Sequence, residues 1–421
     1  MRCWVLIACL ITQGAAAGEP LTLERALALA RERNEVPAIA RARIERAAAL
    51  TRQAWARLLP EAMIQGRYTR RQAAVSRQVG GDVAEIQSRN ALNATATVQT
   101  NVLDASAIPL VISARREEEA TAHEAESLVQ SLSYDVATGF FAVLSAEELH
   151  AAAERRVQVA ASAVEVSQRR VKAGLSGRQE VTRTELSLSN ARLALNDARL
   201  LVETTRLALG ELLALTVDMP LAPPPPLPER APDEEALGVS RRPDLLALES
   251  RSRSFELLAL EPHLRLIPSL GIGAEYRITN EPGFGLPTNW SLFATSTWVL
   301  YDGGLRYAQA RARAAEADEL RLTLSSLRRT AEREHAEASV RIVAAQAALD
   351  EARIAHRLAQ ENVEQVSQLF AAGLATALER DDATVAAFEA QADLAQSTFA
   401  LRVAQLEERR ARGLWPLGED G

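Results

Sequence analysis

The sequence predicts a mostly α-helical fold with a smaller β component, built from one unit used twice: two strands followed by a long helical hairpin. Three observations predict it: an internal repeat, short stretches with a period of two, and long stretches without helix breakers. The repeat first shows at Leu58-Leu59-Pro60-Glu61-Ala62-Met63-Ile64-Gln65-Gly66-Arg67-Tyr68. It returns 208 residues on as Leu266-Ile267-Pro268-Ser269-Leu270-Gly271-Ile272-Gly273-Ala274-Glu275-Tyr276. It shows again at Ala173-Gly174-Leu175 with Glu180, echoed 199 residues on by Ala372-Gly373-Leu374 with Glu379. A repeated segment points to a repeated supersecondary unit. The smaller second offset leaves about nine extra residues in the first copy, between the Pro60 and Gly174 landmarks.

The first residues read as an export signal. Arg2 supplies a positive end, Cys3 to Thr12 an apolar core, and Ala15-Ala16-Ala17 a small-residue cleavage site, giving a signal peptide over 1–17. Leu6-Ile7-Ala8-Cys9 looks like a lipoprotein box, but too few residues precede Cys9 for a full signal core. Cleavage after Ala17 would remove both cysteines, and with them disulfides, thiolate metal sites and a cysteine nucleophile. The first copy is then expected over 18–219, a stiff proline-rich connector over 220–232, and the second copy over 233–421.

Pro60 stops a helical pattern that starts near Leu21 and is interrupted near Pro37. Strands are expected at about 61–71 and 90–102, then again at about 269–278 and 289–301. In the first copy Leu92, Ala94, Ala96 and Val98 alternate with Asn93, Thr95, Thr97 and Gln99. In the second, Leu270, Ile272, Ala274, Tyr276 and Ile278 alternate with Ser269, Gly271, Gly273, Glu275 and Arg277, while Phe293 and Val299 interrupt the polar face of the last strand. Gly80-Gly81-Asp82 and Glu281-Pro282-Gly283-Phe284-Gly285 are expected to turn the chain within each pair. Such alternation fits a half-buried soluble strand or a membrane-barrel strand with its apolar side to lipid. Export, aromatic residues near the strand ends (Tyr68, Tyr276, Trp290, Tyr301) and the lack of other strands favour the barrel.

Helical hairpins are expected at about 108–216 and 305–414. No Gly or Pro occurs between Gly304 and Gly373, and only Gly139 between Pro109 and Gly174. About 65 helical residues would make a rod of roughly 100 Å. On the return helix after Gly177, Val181, Leu188, Leu195, Val202 and Leu209 form one seven-residue stripe. Leu186, Leu193, Leu200 and Leu207 form another on a different side, with small Thr184, Ala191, Ala198 and Thr205 between. Two apolar stripes call for neighbours on two sides, in the wall of a helical tube or in an ordinary bundle.

The bulk numbers agree. Hydrophobic residues make up 48% of the chain, aromatics only 4%, and Ala and Leu dominate, which suits long, closely packed helices. The net charge of -7 argues against a nucleic-acid surface. No later stretch holds the ~18 apolar residues of a membrane helix. Two strands per copy give four per chain, too few to close a barrel, so several chains would have to share one.

With these features in view, the chain resembles the TolC-like outer membrane efflux protein family over essentially its whole mature length. The matching motifs are Arg242-Pro243-Asp244-Leu245, Tyr301-Asp302-Gly303-Gly304, and the two Gly-Leu turns with Glu180-Val181 and Glu379-Arg380. In the first copy, Leu103-Asp104-Ala105-Ser106 replaces the glycine pair and Asn34-Glu35-Val36-Pro37 is a shifted form of the opening motif. The resemblance implies a homotrimer whose chains complete a twelve-strand outer-membrane barrel, continued by a helical tube through the periplasm. It also implies two partners, a periplasmic adaptor protein and an inner-membrane transporter, with lipid around the barrel and no cofactor. A soluble periplasmic coiled-coil scaffold and an adaptor protein are the alternatives.

No catalytic group or metal site is expected: His123, His150, His263, His335 and His356 are scattered, without metal-ligand spacing. The resemblance assigns the pore constriction to Glu379 and Asp382, with Glu180 as the first-copy counterpart, although Ala375 stands where some members carry an arginine. Acids at a helix start also favour its dipole, and Thr376 to Glu379 has the spacing of a capping box. Gly174-Leu175 and Gly373-Leu374 resemble the tip elements that meet the adaptor; a turn alone would also need the glycines. Asn93, Thr95, Thr97 and Gln99 would line the barrel lumen.

Overall fold

The computed structural model describes residues 20–79, 82–223, 239–281 and 287–417. The expected export signal, the Gly80-Gly81 turn, most of the proline-rich connector and Pro282 to Gly285 lie outside the described residues. The elements in chain order are α1 (Leu23–Arg33), α2 (Glu35–Ala56), β1 (Glu61–Arg70), β2 (Val75–Val79), β3 (Asp82–Gln87), β4 (Asn90–Leu103), α3 (Ala107–Lys172) and α4 (Arg178–Leu213). They continue as α5 (Pro243–Leu264), β5 (Ser269–Thr279), β6 (Thr288–Thr297), α6 (Leu305–Ala371) and α7 (Ala377–Ala411). The chain divides into two compact units, one of residues 1–39, 127–242 and 330–421, the other of 40–126 and 243–329. Each unit draws on both copies of the repeat.

In the second unit the strands form one antiparallel sheet in the order β1-β4-β5-β6, so its central pair joins strands from different copies. Gln65 stands opposite Thr95, and Thr95 opposite Arg277. Because side chains alternate and opposed residues share a face, this register sorts the sheet cleanly. Ile64, Leu92, Val98, Ile272, Tyr276 and Leu292 lie on one face; Gln65, Asn93, Thr95, Thr97, Gln99 and Arg277 lie on the other. A soluble one-layer sheet covers its apolar face. Here that face is bare among the described residues: Ile64 is 85% exposed and β6 is exposed at every position.

Phe293 is the one aromatic intruder on the polar face, and its partner explains it. It sits opposite Gly273, where an added Cβ would come within 2.4 Å of the ring. The missing side chain lets the ring lie against the sheet.

Three details differ from the expectation. β2 and β3 form a separate two-stranded hairpin where the sequence predicts a turn. β6 ends at Thr297, so Trp298 to Tyr301 lie beyond it. The Trp298 indole N–H donates to the Leu266 carbonyl at 3.0 Å, drawing the chain out of the ladder. The helical run before Pro60 breaks at Asn34, whose extended backbone ends α1 and whose carboxamide oxygen accepts from Val36 N at 2.9 Å. Pro37 then sits in the first turn of α2, where its missing N–H costs nothing.

The strand-to-helix joints are made the same way in both copies. Asp302 accepts from the backbone of Gly304 and Arg306, each at 3.2 Å, and opens α6. Asp104 accepts from Ser106 N at 3.1 Å and Ser106 Oγ at 2.7 Å before α3. Gly303 and Gly304 have φ of 70° and 89°, whereas no residue from Asp104 to Ser106 has positive φ, so the first joint needs no glycine.

The long helices bury residues along seven-residue stripes, most of them small, with Leu324 the large exception on α6. On α3 these are Ala146, Ala153, Ala160 and Ser167; on α4, Thr184, Ala191 and Ala198; on α6, Ala310, Ala317, Ala331 and Ala338; on α7, Ala383, Ala390, Ala404 and Ala411. In the first unit Ser167 Oγ and Thr184 Oγ1 meet at 2.8 Å across this seam. A strict seven-residue repeat selects left-handed supercoiling, and small side chains allow close approach. The second stripe of α4 stays bare: Leu186, Leu193, Leu200 and Leu207 are all more than 60% exposed. The first unit also has a conventional core around Phe140, Phe141, Leu209 and Leu213, which packs Leu23 and Leu27 of α1.

In the second unit the Glu261 carboxylate is buried and clamped by Arg265 at 2.7 Å and by Arg313. Arg251 reaches Glu117 and Glu124, two turns apart on α3.

Replacing Ala153 by Leu should overpack the seam and cost about 1–3 kcal/mol, seen as a lower melting temperature by circular dichroism. Leu200→Ala, on the bare stripe, should leave the secondary structure of the chain intact.

Candidate functional site at the helical turns and the polar sheet face

The turns joining the long helices belong to the first unit and repeat one backbone solution. After α3, Gly174 has φ +74°, its N–H bonds to Val171 O at 3.0 Å and Leu175 N–H reaches back to Arg170 O at 2.9 Å. After α6, Gly373 has φ +79°, with bonds to Phe370 O at 3.1 Å and from Leu374 N–H to Leu369 O at 2.8 Å. Each is a Schellman closure, which glycine adopts without penalty. Nothing lies within 4 Å of a Cβ built on either glycine, so the requirement is conformational. The closure throws Leu175 and Leu374 outward, 73% and 77% exposed.

The three acidic residues expected here have three different surroundings. Glu379 completes the capping box: its carboxylate accepts from Thr376 N at 2.7 Å, and Glu379 N donates to Thr376 Oγ1 at 3.2 Å. The Thr376 backbone N–H, then its hydroxyl, hold the Glu379 carboxyl below the usual carboxylate range. Asp382, three residues on, is exposed and has no ion pair among the described residues. Glu180 is mostly covered, with Arg170 Nη1 at 3.8 Å, and its Oε1 makes no hydrogen bond among the described residues.

Arg380, part of a motif in the sequence, has a larger part in the structure. The side chain is buried, Nη2 donates to Val159 O at 3.0 Å, and the guanidinium sits 5.1 Å from the Phe370 ring. Arg170 lies 5.0 Å from the same ring. Burial pushes the Arg380 pKa down, opposed by neighbouring Asp381. Asp381 in turn takes a short hydrogen bond from Ser187 on α4. These contacts tie the start of α7 to α3 and α4. The available signal was phase: Arg380 lies three residues before Ala383, on the face of the buried stripe.

Asn93, Thr95, Thr97 and Gln99 lie together on the polar sheet face in the second unit. Thr279 Oγ1 donates to Asn93 Oδ1 at 2.5 Å. Among the described residues no cluster of His, Cys, Asp or Glu could hold a metal, and no helix is long and apolar enough to cross a membrane.

A four-stranded sheet with a bare apolar face, in a chain that also has helices of 66 and 67 residues, fits a class of outer-membrane protein with a helical extension. The model of the outer membrane efflux protein family matches residues 26–215 and 237–413, and the chain belongs to that family. Its place is the outer membrane. A search of curated proteins gives no match. Among solved structures, the outer membrane protein VceC of Vibrio cholerae is similar at 17% identity and TM-score 0.80, over 93% of this chain and 96% of that one. The Campylobacter jejuni CmeC outer membrane channel is similar at 16% identity and TM-score 0.81, over 97% and 92%. A membrane protein from Pseudomonas aeruginosa is similar at 20% identity and TM-score 0.81, over 94% and 92%.

Gly174→Ala and Gly373→Ala should each cost about 1–2 kcal/mol, the strain of a left-handed L-residue, measured by denaturant unfolding. A depressed carboxyl pKa stabilises the fold above the unfolded value, about 4.3, and that contribution is lost as pH falls through the lowered folded value. Thr376→Ala should therefore return the Glu379 pKa towards its ordinary value in an NMR titration.

Proposed function

We propose that the chain is an exit duct: a homotrimeric outer-membrane channel that conducts solutes passively from an inner-membrane transporter, through a periplasmic adaptor, to the outside. The observation that carries this reading is the four-stranded sheet with an apolar face, a polar face, and two unpaired edges. In hydrocarbon an open edge is not tolerated, and further copies of the same sheet would supply the missing strands. The bare leucine stripe of α4 supports the same conclusion for the helical part, since it offers a second seam to another chain. The boundaries 18–219 and 233–421, joined by a connector at 220–232, then describe two wall segments per chain. The exposed apolar face also counts against a soluble scaffold or an adaptor.

Within this duct Glu379, Asp382 and Glu180 narrow the far end of the tube. Asp382 is the freest of the three carboxylates, and Glu379 serves the helix cap at the same time. Copies related by three-fold symmetry would form acidic rings that repel one another and attract cations. Gly174-Leu175 and Gly373-Leu374, with their outward leucines, are the elements that meet the adaptor.

Purified protein in a planar bilayer should form ion-conducting channels. The double variant Glu379→Gln, Asp382→Asn should raise single-channel conductance, while Gln, itself a capping residue, preserves the helix start. Unchanged conductance with a lower melting temperature would assign these acids to capping alone.

A further inference from the structure

The polar face of the sheet carries a feature that the channel reading does not use. Near the end of the sheet away from the helices, Gln65, Arg67, Asn93, Thr95, Arg277 and Thr279 line an open groove of about 300 Å³, with Glu281 at its edge. The register brings them together: Arg67 stands opposite Asn93 and Asn93 opposite Thr279, while one row along Gln65, Thr95 and Arg277 face one another.

The chemistry of the groove is one-sided. Arg67 is exposed and makes no ion pair among the described residues. Arg277 has only a loose partner, Glu275, at 3.4 Å. Asn93 has its carboxamide oxygen occupied by Thr279, which leaves its NH₂ group free to donate. The nearby acid Glu281 is already taken: Arg71 forms a close ion pair with it, and the same guanidinium nitrogen donates to Ser88 O at 2.9 Å. Two guanidinium groups and a carboxamide donor therefore face one space whose only carboxylate, Glu281 at its edge, is already paired with Arg71. Forked guanidinium donors suit the planar or tetrahedral oxygens of carboxylate and phosphate.

We propose that this groove is an oxyanion site on the barrel wall, taking the phosphate or carboxylate group of a solute in the lumen. It rests on the channel reading for its location, because the polar face meets the lumen only if the sheet is part of a barrel. Three copies would give three sites at the outer end.

The probe is inorganic phosphate, read in two ways on the purified full-length oligomer. In detergent, ³¹P NMR line broadening measures binding without any need for conduction. In a bilayer, phosphate added to the side away from the helical tip should reduce or flicker the current. Arg67→Gln, at an exposed strand position, should weaken both effects by up to about fivefold, the scale of one exposed charged contact. Glu275→Gln, which frees Arg277, should strengthen both. Equal phosphate binding by wild type and Arg67→Gln, or none by either, would overturn the site whether or not the protein conducts. Arg67-dependent binding by a protein that never conducts would keep the site and sink the channel reading instead.

Discussion

A sheet of four strands ends in two rows of unpaired backbone N–H and C=O groups, and β1 and β6 are those rows here. In water they would be hydrated at little cost. In hydrocarbon each unsatisfied group costs several kcal/mol, which is why membrane strands close on themselves. The side chains of this sheet prepare it for that setting. Ile64, Leu92, Ile272 and Leu292 point one way, and Gln65, Asn93, Thr95 and Arg277 the other. The central pair comes from different copies, so even within one chain the duplication already works by lending strands across.

The helices meet the same requirement by different means. Seven-residue stripes of Ala, Ser and Thr let long helices of one chain approach closely, with Ser167 and Thr184 bonded across the seam. A second stripe, Leu186 to Leu207, has large side chains and no cover among the described residues. Close packing by small residues inside holds the helices of one chain together, and the broad apolar stripe outside is the surface that the proposed assembly would use. At the turns the buried Arg380, stacked on Phe370 and bonded to Val159, fixes where α7 starts. That placement decides where Asp382 lies.

How much of this could be read in the sequence follows from which constraints are local. A strand with lipid on one side must alternate at every residue, so β1, β4, β5 and most of β6 were visible. Gly174 and Gly373 were visible because a left-handed turn leaves few other choices. Asp104 was noticed only as a departure from a glycine motif, although it does the work of Asp302. The β2–β3 hairpin was missed because neither strand carries that alternation. Trp298 to Tyr301 look like a continuation of β6 because they are apolar and aromatic, whereas the Trp298 bond to Leu266 belongs to the exit from the sheet. In the sequence the three carboxylates look alike, yet Glu379 caps a helix, Glu180 lies against Arg170, and Asp382 is exposed. Those differences depend on which helices pair, and spacing along one helix does not encode that. The same holds for Arg67 and Arg277, which are far apart in sequence and come together only through the β4 register.

The most direct test of shared closure is a count of chains. Native mass spectrometry of the protein released from lipid nanodiscs reports how many copies make one particle. Three copies, persisting until the sheet is melted, is the expected result. A single folded copy embedded in lipid would contradict it, because among the described residues one chain's sheet has four strands and leaves both edges unpaired.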